Sequence, residues 1–230
     1  FTPVPGSRLL ARDPDGRRLL LRAMRQFAAD ADLSSAHLLF IDADDQAAAL
    51  AEGWLARSTV QFHWTNPPDT PYEDFAAFLA ALQREKRKKI QQERRRVAEA
   101  GVGFEALQGT QIGPADWDFL HRCYTLTYRA HHSTPYLTRD FFARMAATMP
   151  AHWLMFVASR GGQRIAASLI AVDAARGAAY GRYWGCTEHV DCLHFEACYY
   201  QPLQWCISNS YRRFEGGAQG EHKMARGLLP

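Results

Sequence analysis

The stretch HWLMFVASRGGQRIAASLIAVDAARGAAYGRYW, residues 152–184, decides how this chain folds. Three apolar runs, His152–Ser159, Arg164–Asp173 and Ala178–Trp184, are separated by Gly161-Gly162-Gln163 and by residues 174–177, connections of hairpin length. The pattern predicts an antiparallel meander. Ahead of it, Val102–Leu107 predicts a strand, and Pro114–Ala130 and Thr138–Thr148 predict helices. Behind it, a loop through Asp191 leads to a helix over about 193–210, which Pro202 is expected to kink. A last strand, Tyr211–Glu215, ends at Gly216-Gly217.

The N-terminal part reads as an alternation of helix and strand. Leu19, Leu20, Met24 and Phe27 fall near helical spacing and predict an amphipathic helix over about 16–30. His37–Ile41 predicts a short buried strand, Asp44 and Asp45 open an Ala-rich helix ended by Gly53, and Trp54–Trp64 predicts a longer strand. After Asn66-Pro67-Pro68 one long helix is expected from about Tyr72 to Ala100, ~45 Å at the helical rise. Phe75, Phe78, Leu79 and Leu82 form its core stripe, which basic residues then replace. The fold class is α/β.

With 47% hydrophobic and 22% charged residues in 230, the composition is that of a globular protein, which excludes collagen, coiled coil and disorder. No apolar run is long enough for a membrane-spanning helix, and a cytoplasmic location is expected. Five cysteines without Cys-x-x-Cys spacing argue for a reducing compartment. The net charge of +3 conceals one local concentration. Residues 84–96 hold eight basic and two acidic side chains, leaving the rest of the chain at −3.

Strand, two helices, meander, loop, helix and strand is the element order of the GCN5-related N-acyltransferase fold. Phe214-Glu215-Gly216-Gly217-Ala218-Gln219-Gly220-Glu221-His222-Lys223, followed by Ala225-Arg226-Gly227, resembles the FemAB-like branch of that superfamily, associated with peptidoglycan biosynthesis or recognition. Residues 1–10, Phe62-His63-Trp64, Lys86–Val97 and 194–200 resemble it too, so the likeness covers nearly the whole chain. The resemblance implies tandem acyltransferase-like mixed sheets flanked by helices. Residues 1–65 would be the C-terminal part of a first half, 66–100 a long basic connecting helix, and 101–230 most of a second domain. Both ends would be truncated, as the absence of an initiator Met and the mid-protein character of residues 225–230 suggest.

The resemblance implies amide formation on an amine, with an aminoacyl group taken from tRNA as the Fem-type enzymes do. Acyl-CoA users hold the pyrophosphate on a Gly-rich loop before a helix. The corresponding loop here, residues 185–192, has one glycine, two acidic residues and no arginine, which disfavours acyl-CoA. Aminoacyl-tRNA and acyl-CoA stay open as donors, with a small molecule or a muropeptide as the amine acceptor.

Such a transfer needs a base for the amine, donors for the developing oxyanion and cations for anionic groups. Glu215 and His222 are the candidates for proton transfer, and Lys223, Arg226 and Arg182 for anion binding. Gln219 lies in the same motif, and Arg8 belongs to an N-terminal stretch that also resembles the family. Strand alternation sends Arg182 and Trp184 to one face, a pairing suited to a sugar or nucleotide. His194, Glu196 and Tyr199 stand near the start of the following helix, where His194 and Glu196 must point apart. For all of these the competing reading is structural: a polar surface loop, a helix cap, an aromatic core stripe.

Within 84–96, Lys86 and Lys89 lie nearest the apolar side, which also carries Glu93, and are the candidates for tRNA phosphates. No aromatic platform interleaves with that run, so a solvated helix is the plainer reading. Cys186, His189, Cys192 and His194 match no common zinc spacing, and no metal site is expected. The rival to an N-acyltransferase is a non-catalytic module that binds a peptidoglycan precursor. A small-molecule N-acetyltransferase using acyl-CoA is the third reading.

Overall fold

The structure, a computed structural model, describes residues 4–217 and 220–230. It divides into two compact units, residues 1–59 and 60–230.

The first unit pairs helix α1 (Pro14–Asp30) with helix α2 (Ala43–Ala51). Asp13 caps α1 through the Gly16 amide at 2.7 Å, and Asp42 caps α2 through Asp45. Leu9, Leu21, Ala48 and Ala49 form the small core. Among the described residues of this unit there is no strand, so neither His37–Ile41 nor the first part of Trp54–Trp64 is extended into a sheet. The inward residue of α1 is Leu21, while Leu19 and Phe27 face outward. Asp45, fully buried, ties the unit together by accepting from the Ser7 hydroxyl, the Arg8 and Leu9 amides and the Arg17 guanidinium.

The second unit is built on a six-stranded sheet. Its strands are β1 (Phe62–Thr65), β2 (Val102–Gln108), β3 (Trp153–Arg160), β4 (Gln163–Asp173), β5 (Ala178–Cys186) and β6 (Arg213–Gly217). They lie in the order β1-β6-β5-β4-β3-β2. The meander β3-β4-β5 forms as its turns predict. All pairs are antiparallel except β5–β6, joined through the long crossover over 187–212. Strand β1, assigned by sequence to the end of the first half, hydrogen-bonds to β6 through Phe62–Thr65.

One face of the sheet carries α3 (Phe75–Ala81), α4 (Arg84–Glu99) and α7 (residues 193–208), packed through Phe78, Ile90, Leu203 and Phe214. The other carries α5 (Pro114–Ala130) and α6 (Arg139–Thr148), packed through Trp117, Leu120, Tyr124 and Phe142. Strand β3 is buried from Trp153 to Ala158 because helices cover both its sides, which explains its unbroken apolar run.

Two expected helices differ in detail. The single helix over 72–100 is two, because Leu82 and Gln83 adopt extended backbone that ends α3 before α4 begins. Helix α7 is distorted in the turn that precedes Pro202. Leu193–Phe195 runs into a π turn, Glu196–Tyr200, and Gln201–Ser208 resumes the α-helix with right-handed helical backbone at both junctions. Pro202 therefore lies inside a continuous helix, where its ring and missing N–H disturb the bonds to the preceding turn. Inside the π turn the Ala197 carbonyl accepts from the buried Ser168 hydroxyl at 2.6 Å.

Candidate functional site

Strands β5 and β6 share only three register pairs, Ala178–Arg213, Ala179–Phe214 and Tyr180–Glu215. Beyond Tyr180, β5 continues to Cys186 bonded to β4 on one side, and it pairs with no strand among the described residues on the other. Two features shape this opening. Gly181 is close enough to β6 that a Cβ there would come into van der Waals contact with the Glu215 carbonyl and the Phe214 ring, 3.4 Å from each. A bulge in the β4–β5 ladder, where Leu169 faces Tyr183 and Ile170 faces Gly181, leaves Arg182 as the extra residue.

The bulge corrects an expectation. Arg182 and Trp184 were to share a face by alternation. The extra residue shifts the phase, so the Arg182 guanidinium lies over the Tyr180 ring, 5.3 Å from its centroid, whereas Trp184 packs 5.0 Å from His194 on the α7 side. Tyr183 joins the α5–α6 core, on the same side as Arg182.

Glu215 and His222 are separated in the same way. Phe214 is buried against α7, so its neighbour Glu215 points to the opposite face. There Glu215 meets Arg213 at 3.3 Å and His63 at 3.8 Å. Burial lifts its carboxyl above the ordinary value, with Arg213 and then Arg182 acting against the rise. His222 lies on the α7 side, its Nε2 3.4 Å from the Tyr199 hydroxyl and its ring against Phe195 and His194. The motif thus feeds two faces and does not gather into one cluster.

The α7 face holds most of the expected residues. His194 touches Trp184, Phe195 and Tyr199, and burial, aided by the charges of His222, Arg226 and Lys223, pushes it down to about 4. Burial and the charges of Arg226 and Lys223 likewise lower His222, so both imidazoles are neutral at pH 7. Lys223 is buried, with its ammonium 3.4 Å from the Gly217 carbonyl and 5.5 Å from the centre of the Phe62 ring. Glu196 turns away from His194, as their spacing requires, and pairs with Arg94 at 3.0 Å and Gln201 at 2.8 Å.

Arg226 is only 1% exposed, and both of its terminal nitrogens are engaged while its Nε has no acceptor among the described residues. It donates to Glu93 at 2.7 Å and to the His222 carbonyl at 2.7 Å, and its guanidinium stacks 3.4 Å from the centre of the Phe195 ring. The Tyr200 hydroxyl bonds the other Glu93 oxygen. Sequence reading had no role for Glu93 or Tyr200. The available signal was an acidic residue on the apolar side of a basic helix, which requires a buried cationic partner. Through this pair α4 fixes the turn that carries His222 and Lys223, and it sets Lys89 close enough to act on His222. Lys86 is half-buried on the same helix.

In the first unit the Arg8 guanidinium is turned onto backbone carbonyls, with Leu39 at 3.0 Å and Val4 as a further acceptor. Gln219 lies outside the described residues. Of the four metal-type residues in 186–194, His189 pairs with Asp191 at the surface while His194 is half-buried among aromatic rings, and no group of three ligating side chains gathers among the described residues. The 185–192 loop presents acidic groups to any anion, Glu188 paired with Arg160 and Asp191 exposed.

The entire chain, residues 1–230, matches the FemAB-like family, described as peptidoglycan biosynthesis/recognition. The chain belongs to the FemAB-like family. No curated protein matches it. Among solved structures, the FemAB-like chain is similar to the C-terminal DUF2156 domain of a protein assigned as a lysylphosphatidylglycerol synthetase from Agrobacterium fabrum. That likeness has a TM-score of 0.60 and 16% identity, over 90% of this chain and 61% of that one. It is also similar to L-PGS from Bacillus licheniformis, with a TM-score of 0.59 and 14% identity over 89% and 60% of the two chains. FemX gives 0.54 and 10% over 90% and 69%. At these identities the likeness is one of fold, the acyltransferase-like mixed sheet expected from the element order. The FemAB-like chain spans about 60% of the length of the first two. No helix among its described residues is long and apolar enough to cross a membrane.

Proposed function

We propose that this FemAB-like chain belongs to an N-acyltransferase that forms an amide on an amine acceptor, with a peptidoglycan precursor as the acceptor class. The observation that carries this reading is the opening of the sheet at Tyr180–Glu215. There a carboxyl group on one face and a cluster of imidazole, ammonium and aromatic groups on the other border the same gap between strands. Donor and acceptor approach from opposite faces and meet at that gap. The donor's phosphates are taken by Lys223 and Lys89 on the α7 face, where Phe195, Tyr199 and Trp184 supply ring surface.

The proton traffic follows from the reaction. The acceptor ammonium gives one proton to Glu215, whose raised affinity suits it to a base. The amine nitrogen then forms a bond to the donor's carbonyl carbon, and the bond from that carbon to the leaving oxygen or sulfur breaks. The second amine proton leaves on that departing atom. No covalent enzyme intermediate is needed, and positioning supplies much of the rate.

Aminoacyl-tRNA is favoured over acyl-CoA as donor, because Glu188 and Asp191 occupy the loop where a pyrophosphate would sit. Both donors are cytoplasmic, which supports the same compartment for the reaction. Titration calorimetry of the protein with aminoacyl-tRNA, acetyl-CoA and a UDP-linked muropeptide tests the reading, together with a transfer assay on each pair. Binding and transfer with aminoacyl-tRNA are expected. Tight acetyl-CoA binding would overturn the donor assignment, and muropeptide binding without transfer from either donor would make the chain a recognition module.

A further inference from the structure

Arg182 is the side chain that the fold leaves least satisfied. One of its guanidinium nitrogens, Nη1, donates to the Gly181 carbonyl at 2.6 Å. Its Nε and Nη2 are buried and have no acceptor among the described residues. A buried donor without a partner is costly, more so for a charged group, so retaining two on one edge calls for a reason.

The location supplies one. The bulge puts this guanidinium beside Tyr180, whose register partner across the end of the β5–β6 ladder is Glu215. Glu215 makes its close ion pair with Arg213, not with Arg182, and lies 3.8 Å from the His63 imidazole, which burial and Arg213 keep neutral at pH 7. A cation with two idle parallel donors and a carboxylate therefore stand near one another on the same face of the sheet, at the point where the strands part. The Nε–Nη2 edge has the fork geometry that matches a carboxylate with two parallel hydrogen bonds. A ligand with a carboxylate at one end and an ammonium at the other complements both groups.

We propose that Arg182 and Glu215 form a subsite for a zwitterionic amino-acid group, in which Arg182 takes the carboxylate and Glu215 faces the amine. Resting on the acyl-transfer reading, this narrows the acceptor to molecules bearing a free carboxylate beside the amine, whether a free amino acid or the unblocked end of a peptide side chain. Arg182 then discriminates among amines, since an acceptor whose carboxylate is amidated cannot use the fork and leaves the guanidinium unpaired.

Binding and transfer separate this proposal from the reading beneath it. Calorimetry of the full chain uses meso-2,6-diaminopimelate and L-lysine against L-lysinamide and cadaverine, which lack the carboxylate. At least a tenfold preference for a carboxylate-bearing member over its truncated analogue is expected. R182K keeps the charge but loses the fork and should abolish that preference, with circular dichroism confirming an unchanged fold. In the transfer assay R182K should raise KM for the carboxylate-bearing acceptor while leaving kcat within a few-fold. Equal binding of L-lysine and L-lysinamide, absence of binding by every carboxylate-bearing probe, or an R182K variant that keeps the preference would each overturn the subsite. Acylation of cadaverine as efficient as that of L-lysine overturns the subsite and leaves acyl transfer standing. Arg182-dependent binding without transfer to any amine keeps the subsite and overturns acyl transfer.

Discussion

The two faces of the sheet at the β5–β6 opening treat charge differently. On the α7 face the ionic groups are held by internal partners. Arg226 is held by Glu93, Phe195 and the His222 carbonyl, with Nε alone left without an acceptor, and Glu196 is held by Arg94 and Gln201. On the opposite face Glu215 keeps two pairings, and Arg182 keeps a donor edge unused. The difference teaches which charges build a site and which act in it. A buried ion pair backed by further hydrogen bonds and ring stacking fixes geometry, and removing one partner destabilises its surroundings. A buried charge left partly unmatched is a loss to the fold that a ligand can recover.

The largest expected effect tests the acting side. Glu215→Gln should lower kcat for amide formation by about 10²–10⁴-fold and also raise acceptor KM, because the carboxylate that takes the proton also faces the acceptor amine. The pH profile supplies the sign. The reaction needs the carboxylate, so the wild-type rate falls as pH drops through a pKa above the ordinary glutamate value, and the variant loses that limb. A rate unchanged by the substitution would move the base elsewhere.

On the building side, Glu93→Ala leaves Arg226 buried without its anion and should destabilise the protein by about 3–5 kcal/mol in urea unfolding. A loss below about 1 kcal/mol would mean that Arg226 is held by its ring stacking and carbonyl bond alone, and that the contrast between the faces is weak. A smaller effect is expected from Ser168→Ala, which removes the hydroxyl bonded to the Ala197 carbonyl in the π turn. About 1 kcal/mol of stability should be lost, with a weaker donor interaction if the turn that presents Tyr199 relaxes. Unfolding curves and donor titrations measure the two separately.

The gentlest probe is pH. His194 is pushed to about 4 in the folded chain, below its ordinary value of 6.5, so between these values the unfolded state holds more protons. Stability is therefore full above about pH 6.5 and falls as the pH drops toward 4. Urea midpoints at pH 7.5, 6 and 4.5 should decline less in His194→Gln than in the wild type. Parallel declines would mean that the α7 face does not hold His194 neutral.

Some of this was legible beforehand because it depends on local pattern. Helix α5 and the meander follow from periodicity and turn residues, and the FemAB-like family was legible from the resemblance of the whole chain. The split between α3 and α4 was not, because Leu82 continues the apolar stripe across a break that only its backbone reveals. The strands expected at 37–41 and within 54–61 failed for a related reason. An apolar run is extended into a sheet only where a partner strand exists, and the first unit has none among its described residues. For the site, sequence named Glu215, His222, Lys223, Arg226, Arg182 and His194 but joined them wrongly, and it saw no role for Glu93 and Tyr200.

The sequence by itself therefore determined the family, the order of most elements in the second unit and the chemical types of the groups at the opening, since these are written in neighbouring residues. Only the tertiary structure decided who faces whom. One bulged residue at Arg182 inverts the alternation for the rest of β5, and the single step from Phe214 to Glu215 sends the carboxylate through the sheet away from His222. Both outcomes are set by hydrogen bonds to other strands, and no pattern in neighbouring residues reports those partners.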